Sequence, residues 1–291
     1  MSWSPVLAVT GFLLLSACAS LPAEPSKQLE VSQSVKAEFA RQAFTAAQGI
    51  IPFSYNKTIG HGEWMTCQSR GTKATALIMH SDRAGYDKAK FCSGWIAQAF
   101  LASGYDVVAV NRPGYGGSDG APDFSGGASL VEVAVVVPEA VAAAHLPHSL
   151  TTIWGYDTGA AAAALAAKHL KGVTTIVLGG GIYDYDDALR TTGDEYLRAD
   201  LAAIKRTGGE KAFEDRSVAY DLNGLPPNVI IYHAANDKAV PISQAKSFND
   251  SLASNGRFKV TYQIVVAQGH DLPWVYHRHL LEALLKQANP T

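Results

Sequence analysis

The chain has 291 residues, is 47% hydrophobic and 17% charged, and carries a formal net charge of -2. That is enough apolar material for one sizeable core. The few charges are interspersed, so there is no basic stripe to neutralise phosphates and no charged tail, and nucleic acid is not expected as a partner.

Residues Met1–Ala17 are almost wholly apolar and carry no charged side chain. The run is slightly short for a spanning helix and suits the core of a signal peptide. Its end, Leu15-Ser16-Ala17-Cys18, resembles a bacterial lipobox, although no Lys or Arg precedes the apolar run. The resemblance implies a signal peptide over 1–17, an acylated Cys18 as mature N-terminus, and a Pro- and Ser-containing tether over 18–34. Cleavage nearby or an uncleaved anchor are the alternatives. The implied location is a bacterial cell envelope, on the outer membrane facing the periplasm, because Ala19 is not the Asp of inner-membrane retention. In an exported chain the remaining Cys67 and Cys92 form an even pair and are expected to be disulfide-bonded. Closing their 25-residue separation would stabilise the chain by about 3 kcal/mol. Two buried thiols are the alternative.

After the tether, apolar spacing predicts a helix over Val35–Gln48. Strands are then predicted at Glu63–Gln68, Thr75–Met79, Tyr105–Val110, Leu150–Trp154, Val173–Leu178, Asn228–His233 and Lys259–Val266. Helices are predicted at Phe91–Ala102, Val131–Ala144, Ala160–Leu170, Ile242–Ala253 and Leu272–Gln287. Apolar strands without clean alternation, separated by helices, mean a mostly parallel sheet covered on both faces. Right-handed crossovers then bring the strand ends, and a site, to one edge. Residues 182–227 break the rhythm and read as a small helical cap inserted into a single domain over 35–291.

The chemistry centres on Gly155-Tyr156-Asp157-Thr158-Gly159, between a predicted strand and a predicted helix. A sharp strand-to-helix turn holds its middle residue in a strained conformation and leaves no room for side chains on either flank. The free N–H groups of the helix N-terminus favour a negative charge there.

This pentapeptide resembles the nucleophile elbow of the α/β-hydrolase family. Three further segments between Glu63 and Gln287 share the resemblance. Asn111-Arg112-Pro113-Gly114-Tyr115-Gly116-Gly117-Ser118 is similar to the loop after that family's fourth strand. Tyr232-His233-Ala234-Ala235-Asn236-Asp237 is similar to its acid loop, and Gln268-Gly269-His270 to its catalytic-histidine loop. The resemblance implies an α/β-hydrolase fold, no cofactor, and a catalytic set of Asp157, Asp237 and His270 in the family's order. Most relatives carry Ser where this chain has Asp157, and Asp there resembles the epoxide hydrolase and haloalkane dehalogenase branches. A carboxylate can attack an sp³ carbon and form an alkyl ester, which water activated by His270 then hydrolyses.

The expected oxyanion donors are the backbone N–H groups of Thr158 and Asp82, and Tyr183 and Tyr185 are candidate cap donors. Both branches fit incompletely. His80 is followed by Ser81-Asp82-Arg83 rather than Gly-x-Pro, and Thr158 replaces the dehalogenase Trp. Two other readings stay open: an esterase using Asp157 as general base, and an inert binding protein of the cell envelope. No metal site is expected. The expected substrate is a small, partly apolar molecule under the cap.

Overall fold

The computed structural model describes residues 41–266 and 268–288, with the side chains of residues 287 and 288 left aside. The expected signal peptide over 1–17, Cys18, the expected tether over 18–34 and residues 35–40 lie outside the described residues. Among the described residues no helix is long and apolar enough to cross a membrane.

Where Thr45–Gln48 was expected to end a helix, it opens strand β1, Thr45–Tyr55. Along β1 alternate residues turn inward, through Ala47, Gly49, Ile51 and Phe53. That is a two-residue period, which an Ala-rich stretch can also present to a helix reading. Pairing decides between them. β1 runs antiparallel to β2, Thr58–Gln68, across the turn residues Asn56 and Lys57, both at positive φ as a tight hairpin turn requires. Trp64 of β2 lies across Gly49, where a Cβ would come within 2.8 Å of its ring.

Among the described residues eight strands form one sheet in the order β1-β2-β4-β3-β5-β6-β7-β8. The further strands are β3, Ala74–Met79; β4, Tyr105–Asn111; β5, Leu150–Tyr156; β6, Thr175–Gly179; β7, Asn228–Ala234; and β8, Lys259–Val265. Pairing is antiparallel from β1 to β4 and parallel from there on. Successive strand residues serve opposite layers. Leu77, Val108, Ile153, Ile176 and Ile231 pack with helices α2 (Gly127–Ala143), α3 (Thr158–Ala167) and α6 (Ser243–Asn255). Ile78, Ala109, Trp154, Val177 and Ile230 pack with α1 (Trp95–Ala102) and α7 (Trp274–Ala288). Both faces being covered, the strands are apolar throughout, which is why they read as unbroken runs. Every residue of α3 is buried. Its alanines let it lie close to the sheet, directly behind Asp157.

The predicted Phe91–Ala102 helix is interrupted. Phe91–Ser93 is a 3-10 turn, and extended Gly94 separates it from α1. Cys92 of that turn is bonded to Cys67 of β2, with Cα atoms 5.5 Å apart. Two further helices, α4 (Tyr185–Thr191) and α5 (Glu195–Glu214), lie between β6 and β7. Asp184 caps α4 by accepting from the Asp187 N–H, Asp194 caps α5 by accepting from the Tyr196 and Leu197 N–H groups, and α5 kinks at Gly209, where φ is +64°. Ile182, Tyr185, Ala188, Leu197, Leu201 and Phe213 gather into a small apolar cluster of their own.

Candidate active site

Strand β5 ends at Tyr156 and helix α3 begins at Thr158, leaving Asp157 alone between them at φ 57°, ψ -132°. A non-glycine residue there costs on the order of 1–3 kcal/mol. The flanking glycines make the turn possible. A Cβ on Gly155 would stand 2.0 Å from the Gly159 carbonyl oxygen, and one on Gly159 would stand 2.8 Å from the carbonyls of Met79 and His80. Asp157 is only 4% exposed, and its N–H donates to the Gly179 carbonyl at 3.0 Å.

The loops after β7 and β8 bring Asp237 and His270 to this turn. His270 Nδ1 donates to Asp237 Oδ2 at 2.8 Å, and its Nε2 faces Asp157 Oδ1 at 3.5 Å. The longer distance leaves Oδ1 buried without a hydrogen bond. Asp237 is itself held, its Oδ1 accepting from the Val240 N–H at 2.8 Å. His233 Nε2 donates to the Val240 carbonyl at 2.7 Å and lies 3.3 Å from Asp237 Oδ2. Burial pushes the Asp237 carboxyl upward, but hydrogen bonds from His233 and His270 outweigh it and bring the pKa down to about 2. Burial pushes the His270 imidazole downward. Its pairing with the Asp157 carboxylate and its hydrogen bond to Asp237, with the charges of both, raise it instead to about 10. At neutral pH His270 is therefore an imidazolium between two carboxylates.

The loop after β3 supplies a residue that the sequence marks only as a departure from Gly-x-Pro. Arg83 Nε lies 3.4 Å from Asp157 Oδ2, and its Nη2 donates to Asp194 Oδ2 of the α5 cap at 2.8 Å. This loop rests on Arg112, which is wholly buried. Arg112 donates to the His80 carbonyl at 2.8 Å and to Ser125 Oγ at 3.2 Å, and pairs with the Asp82 carboxylate at 3.1 Å. His80 Nδ1 donates to the Ser81 carbonyl and Nε2 accepts the Arg112 N–H, so its tautomer is set by structure. Burial and the Arg112 charge take His80 down to about 3, so it stays neutral.

The two expected oxyanion donors fare differently. Thr158 is the first residue of α3, so its N–H has no acceptor within the helix. The Asp82 N–H is occupied, donating to Thr158 Oγ1 at 2.7 Å. Thr158 thus fills the acceptor position with its own hydroxyl, and the pair does not form an open hole.

The cap tyrosines are packing residues rather than donors at the site. Tyr183 is buried and stacks on Phe248 at 4.4 Å, and Tyr185 is buried against Phe213 with its hydroxyl 3.5 Å from the Phe124 carbonyl. Tyr156 carries structural weight beside the nucleophile position. Its hydroxyl donates to the His270 carbonyl, and its ring joins Tyr232 and His277 beneath the loop. Between α5 and residues 122–124 lies an open cavity of about 350 Å³, with Pro122, Phe124, Ala203 and Ile204 among its apolar walls and Arg216 and Asp200 among its polar ones. Among the described residues no cluster of three or more His, Cys, Asp or Glu side chains could hold a metal ion.

With this geometry in view, a family model described as "Alpha/beta hydrolase family" matches residues 76–289. Among solved structures, a Mycobacterium tuberculosis puromycin-hydrolyzing peptidase superposes with a TM-score of 0.63 at 18% identity, over 82% of this chain and 38% of that one. A Pyrococcus horikoshii acylaminoacyl peptidase gives 0.64 at 15% identity, over 83% and 41%. A Staphylococcus aureus structure described as an esterase gives 0.61 at 14% identity, over 84% of both chains. The chain spans about two fifths of the length of the peptidases it resembles. No curated protein matches the sequence.

Proposed function

The chain belongs to the alpha/beta hydrolase family, and we propose that it hydrolyses a small, partly apolar substrate through an ester formed on Asp157. The observation that carries this reading is the placement of Asp157. Its carboxylate sits on the elbow with an unbonded oxygen facing His270, and Asp237 stands behind the imidazole.

The reaction has two halves. A lone pair of Asp157 Oδ1 forms a bond to the substrate carbon, and the leaving group departs with its own electron pair. Asp157 thereby loses its negative charge, and with it one of the two influences that hold His270 protonated. His270 releases its proton to solvent and becomes a base. It then takes a proton from water as the water oxygen attacks Asp157 Cγ. The resulting oxyanion forms on Oδ2, which Arg83 borders at 3.4 Å, and the Thr158 N–H is the backbone donor proposed for it. On collapse the alcohol leaves with the proton of the added hydroxyl, restoring the carboxylate beside an imidazolium. Overall, the substrate and one water give an alcohol, the leaving anion and one proton. Asp237 orients the imidazole throughout. The same reading keeps the protein at a bacterial envelope, held to the membrane through a lipid on Cys18.

Hydrolysis in ¹⁸O-labelled water, one turnover per site, tests the chemistry with small haloalkane, epoxide and short-chain ester panels. The expected outcome is label in the Asp157 carboxylate and, in His270→Gln, an ester that persists there. Turnover that never labels Asp157 would show instead that this residue acts as a base or not at all.

A further inference from the structure

Arg83 borders the attacking carboxylate on the side away from His270. Its Nε lies 3.4 Å from Asp157 Oδ2, whereas His270 faces Oδ1. Asp157 is almost fully buried while the Arg83 side chain is 54% exposed, so a molecule arriving from solvent meets the guanidinium first. Asp194 holds one end of that guanidinium, and Nη1 has no partner among the described residues.

Attack by a carboxylate on an sp³ carbon moves charge in one direction. The bond from Asp157 oxygen to carbon forms, the bond from carbon to the leaving group breaks, and the electron pair goes with the leaving group. Asp157 becomes a neutral ester, so the attraction between Arg83 and Oδ2 vanishes as a new anion appears on the outward side of the carbon. A guanidinium that loses its hold on Oδ2 while Nη1 is unpaired is free to turn to that anion, and so stabilises the transition state more than the ground state. The cap tyrosines are packed elsewhere, and a guanidinium does not give up its proton. The leaving group that suits this side of the site is therefore one stable as an anion without protonation. Nη1 is unpaired and Nε is released when Asp157 becomes an ester, so Arg83 can offer N–H donors to an oxyanion with several oxygens, which they match better than a halide.

We propose that Arg83 is a catalytic residue that receives the leaving group, and that the substrates are alkyl esters of strong oxyacids, sulfates or sulfonates, cleaved at the alkyl carbon–oxygen bond. The proposal rests on the Asp157 ester reading above. In the first half the alkyl carbon passes to Asp157 and the sulfate or sulfonate anion leaves with the bonding pair onto Arg83. Hydrolysis of the ester then yields the alcohol and one proton.

The test uses the mature protein carrying His270→Gln, which retains the ester, and three compounds of one chain length: butyl sulfate, 1-bromobutane and 1,2-epoxybutane. The rate at which Asp157 is alkylated is followed by peptide mass spectrometry. Butyl sulfate is expected to react at least about tenfold faster than either of the others. Adding Arg83→Met is expected to slow it about 100-fold, the usual loss when one such donor is removed. Arg83→Lys, which keeps the charge without the fork, should recover part of the rate. Thermal melting checks that both variants fold. Faster reaction of the bromide or epoxide, or an unchanged rate in folded Arg83→Met, overturns the role given to Arg83 while leaving the Asp157 ester intact. If no compound alkylates Asp157, the ester reading itself fails, and this proposal with it.

Discussion

Asp237, His270, Asp157, Arg83 and Asp194 alternate in sign along one line of contacts, from the loop after β7 to the cap. Each charge has an opposite neighbour, which is how a buried carboxylate persists where burial alone would neutralise it. His270 is the sensitive member. Its pKa of about 10 lies above its ordinary 6.5, so the stability it contributes is complete below 6.5 and is lost as pH rises through about 10. Asp237 works in the opposite sense, contributing above 3.8 and losing that contribution as pH falls through about 2. Following the His270 ring resonance against pH should place its titration near 10 in the native protein. In Asp157→Asn, which removes one of the two anions, the titration should move down toward 6.5. An unmoved titration would mean that Asp157 does not act on the imidazole.

At the scale of elements, the site depends on how closely α3 approaches β3 and β5. The turn at Asp157 leaves no space at Gly155, where an added Cβ would meet the Gly159 carbonyl oxygen at 2.0 Å. Gly155→Ala must therefore push α3 away from the sheet. A loss of about 3 kcal/mol in urea-induced unfolding is expected, the upper range for overpacking, together with loss of hydrolysis. A variant of native stability would show that the turn has room the structure does not. The loop after β4 is built with similar economy. Glu63 of β2 accepts from Asn111 Nδ2 and the Gly117 N–H, both at 2.8 Å, and pairs with Lys88 at 3.0 Å. Gly116 must be glycine because a Cβ there would strike Asn111 and Glu63. That loop begins with Arg112, so its folding also fixes the loop carrying Arg83.

Over the whole molecule, helix α2 closes one face of the sheet with an acid inside it. Glu132 is fully buried, and a Cβ on Gly62 of β2 would stand 2.6 Å from its Oε1. Burial raises its pKa to about 8. A raised carboxyl contributes stability that is complete below its ordinary 4.5 and is lost as pH climbs through about 8. Glu132→Gln removes that dependence. Urea unfolding should find the variant more stable than the native protein above pH 8, with the advantage gone below 4.5. An equal gain at both ends would show that the carboxyl is not titrating in the fold.

Most of the fold was legible in the sequence because its elements are set by local patterns. Strands buried on two faces give continuous apolar runs, as in Tyr105–Val110 and Leu150–Trp154, and the glycines at 155 and 159 mark a turn that tolerates no side chain on either flank. The positions of Asp157, Asp237 and His270 could be expected because their loops resemble the nucleophile, acid and histidine loops of the α/β-hydrolase family, in that family's order. What the chain order does not contain is which side chains meet across loops. Thr45–Gln48 became strand because β2 was there to pair with it. Tyr183 and Tyr185 went into packing because Phe248 and Phe213 offered rings to lie against. Thr158 took the Asp82 N–H, and Arg83 reached Asp157, only because the loop after β3 is bent back by a buried Arg112 far along the chain. Sequence by itself determined the layers and the edge on which the site stands, since those follow from periodicity and chirality. The tertiary structure alone decided the charge order around Asp157, because Coulomb energy and hydrogen bonding depend on distances of a few ångströms between residues remote in sequence.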